Sequence, residues 1–137
     1  MKAFVDTSAW FAAVHPKDRH HERAVELLSG SLELTTSTFI LVETWRLLRS
    51  RMGFATAETF ANHVRSGAAL IEPTLMSDLE HAWRIPSMFE DQSFSLVDRT
   101  SFAMMERLGI SKVISFDDDF VIYRFGPDLR QAFEVLR

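Results

Sequence analysis

No cysteine occurs among the 137 residues. Disulfides, zinc–thiolate sites and cysteine nucleophiles are therefore excluded. A basic excess is missing too: 15 Lys and Arg stand against 19 Asp and Glu, a formal net charge of −4. That is the wrong sign for a chain that grips nucleic acid through bulk charge. It still allows a nuclease that gathers carboxylates around a metal and keeps its basic groups local. No apolar run is long enough for a membrane span or a signal peptide, and the opening MKAFVDTSAW enters strand-like sequence directly. The expectation is a soluble, cytoplasmic protein. Repeats, low-complexity tracts and long linkers are also absent, so residues 1–137 read as a single domain. A chain of this length buries about two-thirds of its unfolded surface and needs no staples.

What is present alternates. Lys2 to Val5 reads as a short buried strand closed by Asp6, and Thr7 to Val14 as a short helix stopped by His15-Pro16. A helix from Asp18 or Arg19 to Leu28 ends at Ser29-Gly30-Ser31, and Leu32 to Thr35 suggests a second strand. Helices are expected over Thr36–Met52, with Gly53 past the end, and over Thr56–Val64. Ala68 to Ile71 reads as a strand. Ser77 with Glu80 looks like a capping box opening a helix that Pro86 bends or ends. Ser95 to Leu108 is a helix closed by Gly109, Lys112 to Phe116 a strand, and Gln131 to Leu136 an edge strand. Such alternation implies an α/β fold: a mostly parallel central sheet flanked by helices on both faces. Ligands then bind outside the carboxyl ends of the strands, where Asp6 and Asp117 both fall.

Four carboxylates stand out. Asp6 suits a helix N-cap, but its place at a strand end beside Thr7 and Ser8 suits a metal equally well. Glu43 has apolar neighbours one turn either way, Phe39 and Leu47, so it is expected to be partly buried. Such a carboxylate needs an ion pair, with Arg46 for example, or a metal. Asp98 lies between Phe94 and Phe102 in the same manner, though Ser95 and Asp98 also form a capping-box pattern. Asp117, Asp118 and Asp119 crowd three charges after a strand. A solvated acidic turn is the plain reading; a cation would relieve the repulsion, with Asp117 as the ligand and Asp119 sharing the role. Oxygen donors without His or Cys point to Mg²⁺, or Mn²⁺. Carboxylate-held Mg²⁺ is equipment for phosphodiester hydrolysis by activated water.

Arg46, Arg49 and Arg51 at the end of the Glu43 helix, and Arg99 beside Asp98, either grip RNA phosphates or solvate helix surfaces. His20 and His21 read as surface residues, and Trp10, Trp45 and Trp83 as core or dimer contacts.

The stretches VDTSAWFA, LVETWRLL, SLVDRTSFAMMERLGI and VISFDDDF resemble the PIN-domain family, in particular VapC-type toxin ribonucleases of toxin–antitoxin pairs. The resemblance runs from Met1 to about Phe120. It implies metal-binding acids at Asp6, Glu43, Asp98 and Asp117, and the family's small hydroxyl residue at Ser8. Arg99 departs from the small residue usual there, which bears on substrate approach. The resemblance also implies Mg²⁺- or Mn²⁺-dependent endonucleolytic RNA cleavage, a homodimer, and a cognate antitoxin that pushes a basic side chain into the acidic pocket. The alternative is a catalytically inactive PIN-like domain that binds RNA or protein; the intact set of acids argues against it. A receiver-like phosphotransfer domain fits less well, because Lys112 precedes its strand and no central strand-end Asp is evident.

Overall fold

The computed structural model describes residues 1–137, the side chain of Ser87 excepted. Five strands, β1 (Lys2–Val5), β2 (Glu33–Ser37), β3 (Leu70–Glu72), β4 (Lys112–Ile114) and β5 (Glu134–Leu136), form one sheet in the order β3-β2-β1-β4-β5. Every pairing is parallel. The helices are α1 (Thr7–Val14), α2 (His21–Leu28), α3 (Thr38–Met52), α4 (Phe54–His63), α5 (Met76–Arg84), α6 (Leu96–Leu108) and the short α7 (Asp119–Ile122). Helices α1 to α4 pack among themselves, and α5 packs on α6. Right-handed crossovers place these two groups on opposite faces, because the chain reverses direction across the sheet between β3 and β4.

That reversal positions the site. From β1 the chain winds outward to β2 and β3, then returns to lay β4 on the other side of β1. The β1–β4 boundary is thus the switch point, where loops diverge and leave a crevice. The register pairs Val5 with Ile114, so both strands end level, and the Asp6 amide donates to the Ile114 carbonyl at 3.1 Å.

Central strands buried on both faces require apolar side chains throughout. Phe4, Val5, Val113 and Ile114 are fully buried accordingly. Beneath β4 and β5 lies an aromatic cluster in which Tyr123 stacks on Phe102, centroids 4.1 Å apart, with Phe94, Phe120 and Phe133 around them. The Tyr123 hydroxyl donates to Glu106 at 2.8 Å, so its polar tip is satisfied.

Boundaries differ from expectation where side-chain chemistry competes with helix pattern. Thr36 and Ser37 belong to β2, not to α3, because Thr36 donates to the Val5 carbonyl at 3.1 Å and pairs with Ile71. Branched Thr suits a strand better than a helix start. Ser37 then caps α3, accepting from the Ile40 amide at 3.0 Å. Helix α5 opens one residue before Ser77, and its first-turn acceptor is Asp78, which takes the Leu75 amide at 2.8 Å. Buried Asp78 also receives the exposed Arg107 through two bonds of 2.9 Å, a pair tying α5 to α6. Helix α2 begins at His21, two to three residues later than its pattern suggested. Among the described residues, no helix is long and apolar enough to cross a membrane.

Candidate metal centre

Asp6 follows β1 and caps α1, but its cap bond to the Ser8 amide is long, 3.4 Å. Its stronger partners are two hydroxyls. Ser8 Oγ donates to Asp6 Oδ2 at 2.8 Å and Ser115 Oγ to the same oxygen at 3.0 Å. Each hydroxyl in turn accepts a loop amide: Phe116 N reaches Ser8 at 3.0 Å and Asp117 N reaches Ser115 at 3.2 Å. This network fastens the loop after β4 to the start of α1. Both hydroxyls use Asp6 Oδ2, and neither uses Oδ1.

Asp98 sits in the first turn of α6. Ser95 caps that helix by accepting the Asp98 amide at 3.0 Å, so half of the expected capping box forms. The Asp98 carboxylate goes instead to the acidic cluster. Carboxylate oxygens of Asp6, Asp98 and Asp117 lie within 4.8 Å of one another. Asp6 and Asp98 are buried, and Asp117 stands at the exposed rim. Glu43 projects from α3 into the same cleft, where Thr7 Oγ1 donates to its Oε1 at 2.5 Å. The cleft measures about 460 Å³.

The electrostatics of this cluster call for a cation. Burial, the neighbouring Asp119 carboxyl and the charge of Asp6 push Asp98 up to about 8. Burial of its carboxyl, with the charges of Asp6 and Asp119, pushes Asp117 up to about 6. Asp6 is raised by burial, against the pull of the Ser8 and Ser115 hydroxyls. Like charges in one dry site cannot all ionise without compensation. The donors are hard oxygens, the set that suits Mg²⁺ or Mn²⁺. The residues therefore fit a divalent metal.

The three consecutive aspartates have separate surroundings. Asp117 joins the cluster, Asp119 lies beside Asp98, and Asp118 pairs with Arg137 at 2.9 Å on the surface. The arginines divide as well. Arg99 donates to the carbonyls of Phe94, Ser95 and Ala82, clasping the end of α5 to the start of α6. Three carbonyl acceptors engage its Nε and Nη1, so at least part of its guanidinium serves the contact between these helices. Arg49 lies over the Phe54 ring at 5.8 Å, a surface contact on α4. Arg46 is exposed in a shallow depression bordered by Glu43 and Leu47, beside the cleft. Trp10 is core, whereas Trp83 is 56% exposed and is not a core residue.

Sequence reasoning passed over three residues of this site. Ser115 is fully buried against Asp6, and only the fold brings them together. Arg19 and His20 line the cleft, and the His20 ring stacks on Phe116 at 4.4 Å and 9°. His20 is thus not a plain surface residue; its neighbour His21 bonds the Ala12 carbonyl. A larger cavity, about 680 Å³ between α1, α2 and α4, is lined by Trp10, Val25, Phe60 and other residues without a carboxylate, so it cannot hold such a metal.

A family model matches most of this chain. The model described as the PIN domain matches residues 3–126. The chain belongs to the PIN-domain family. Among curated proteins, it is 36% identical over 118 residues to the 23S rRNA-specific endonuclease VapC20 of two Mycobacterium tuberculosis strains, covering 85% of this chain and 90% of the relative. Among solved structures, it is similar to the crystal structure of Mycobacterium tuberculosis VapC20, described as a sarcin–ricin loop cleaving toxin. That match has a TM-score of 0.82 and 35% identity, and covers 88% of this chain and 93% of the other. PIN-fold likeness at this identity accords with the parallel five-stranded sheet and the switch-point cleft described above.

Proposed function

We infer that this chain is a metal-dependent endoribonuclease, the toxin component of a toxin–antitoxin pair. The observation that carries this reading is the convergence of Asp6, Asp98 and Asp117 oxygens within 4.8 Å in a PIN-family chain. Asp6, Asp98, Asp117 and Glu43 would hold Mg²⁺, with Mn²⁺ as a substitute; the ion supplies an activated water and neutralises charge on the cleaved phosphate. Asp6 is the fixed ligand, locked by Ser8 and Ser115 so that one oxygen stays aimed at the cleft. Glu43 is oriented by Thr7, and Asp119 lies beside Asp98 in a supporting position. The cleft's hydroxyls have structural partners: Thr7 donates to Glu43, Ser8 to Asp6, and Ser95 accepts the Asp98 amide. Hydrolysis by metal-activated water is the chemistry that a carboxylate-held divalent ion suits. Asp119 takes the supporting role and Asp117 that of the fourth acid.

The substrate proposed for this chain is the one named for VapC20, the sarcin–ricin loop of 23S rRNA. A cognate antitoxin with a basic side chain would complement the acidic cleft. A homodimer is part of the same reading, supported by exposed apolar residues Val42 and Phe54 on adjoining helices α3 and α4. A cytoplasmic location follows from such a substrate. The experiment is cleavage of an RNA hairpin carrying that loop, with Mg²⁺ and with EDTA, beside a hairpin of scrambled loop sequence. A single cut in the loop, abolished by EDTA and absent from the scrambled hairpin, is expected. An inert protein with both Mg²⁺ and Mn²⁺ moves the alternative, a binding domain without catalysis, to first place. Equal cutting of both hairpins removes the substrate assignment and leaves the nuclease.

A further inference from the structure

The acids leave this cleft short of positive charge. Asp6, Glu43, Asp98 and Asp117 crowd four carboxyl groups together, and one divalent ion offsets only two of the charges they carry when ionised. An RNA phosphate adds another negative charge, so it needs a cation beside the metal. Of the arginines that the sequence suggested, Arg99 is engaged by three carbonyls, Arg49 lies over Phe54, and Arg46 stands in the neighbouring depression beside the cleft. Among the described residues lining the cleft, Arg19 is the one Arg or Lys.

Its placement is built. Arg19 Nε donates to His20 Nε2 at 3.0 Å. His20 lies flat on Phe116, one residue before Asp117, and its amide donates to Asp18 Oδ1 at 2.8 Å. The loop between α1 and α2 is thereby fastened over the loop that carries Asp117. With Nε engaged, Arg19 presents its terminal Nη1 and Nη2, a planar fork that matches two phosphate oxygens.

We propose that Arg19, positioned by His20 on Phe116, grips the RNA phosphate in this cleft. This assignment rests on the ribonuclease reading above. Arg19 is a substrate-binding residue, and His20 and Phe116 position it.

The test is steady-state cleavage of the hairpin by wild type, Arg19→Ala and Arg19→Gln in Mg²⁺ at several salt concentrations, with thermal melts to confirm folding. Arg19→Gln keeps the stem in case alanine loosens the loop. The expected result is a rise in KM of about tenfold or more with a smaller change in kcat, because a charge-assisted contact made to substrate is lost. The slope of log KM against log salt is expected to shallow by about 1, since one phosphate contact is removed. His20→Phe keeps the stack on Phe116 but removes the acceptor, and should fall between wild type and Arg19→Gln. Unchanged KM and salt slope in folded variants overturn the proposal while leaving the nuclease standing. So does a fall in kcat at unchanged KM, which points to a role other than phosphate binding. An inert wild type removes the nuclease reading, and the Arg19 assignment with it.

Discussion

Asp98→Asn and Asp6→Asn will each reduce RNA cleavage by at least about a hundredfold without unfolding the protein. Even the loss of residues that merely support a metal ligand costs 10–100-fold, so a ligand should cost no less. The substitutions keep shape and remove charge, and both acids are buried where charge is unfavourable in the free protein. Folding should therefore tolerate them, which thermal melts will confirm. Asp118→Asn is the control. Its carboxylate pairs with Arg137 at the surface, an interaction worth little, so cleavage should stay near wild type. Wild-type rates for Asp98→Asn would mean that the acidic cluster is not the catalytic centre.

The metal-free protein will lose stability as pH rises from about 4 to about 8, and added Mg²⁺ will restore it most at the alkaline end. Asp98 is raised by burial and by Asp119 to about 8 in the folded chain, from the ordinary 3.8. Between those values the folded state retains a proton that the unfolded state has released. Stability then falls with rising pH. The contribution is complete below about 3.8 and gone above about 8. Asp117, raised to about 6, adds to the fall over the lower part of that range. Asp98→Asn lacks the larger titration, so at pH 8 without metal it should be more stable than wild type by on the order of 2 kcal/mol. Magnesium competes with the same protons, so the Mg²⁺-induced rise in Tm should grow from pH 6 to pH 8.5. Scanning calorimetry of both proteins across that range reads both effects. A Tm gap between wild type and variant that does not vary with pH would contradict the account.

The sheet was legible because alternation between short apolar runs and capped helices is a local signal. Lys2–Val5 and the Ser95–Gly109 helix, with Ser95 as cap and Gly109 at φ +68°, carry their boundaries in adjacent residues. The four-residue helix α7 has too few turns to show a period and went unread. The acids were legible for a different reason. Glu43 and Asp98 are charges amid apolar neighbours, a local conflict that marks a site. Their partners were not. Ser115 looks like any serine until β4 pairs with β1, and its bond to Asp6 spans 109 positions. Arg19 and His20 sit in a polar loop with nothing local to mark them, and only the stack on Phe116 brings them to the cleft. Arg99 shows the limit of adjacency. Adjacency to Asp98 suggested the site, but consecutive helical residues point about 100° apart, and its guanidinium went to the α5–α6 contact.

The most direct test of the metal centre is a crystal structure of the protein grown with Mn²⁺, with the ion located by its anomalous scattering. The account predicts a peak bonded directly to oxygens of Asp6, Asp98 and Asp117, with Glu43 linked directly or through water and Asp118 untouched. A peak elsewhere, or none at saturating Mn²⁺ and pH 8, would contradict it.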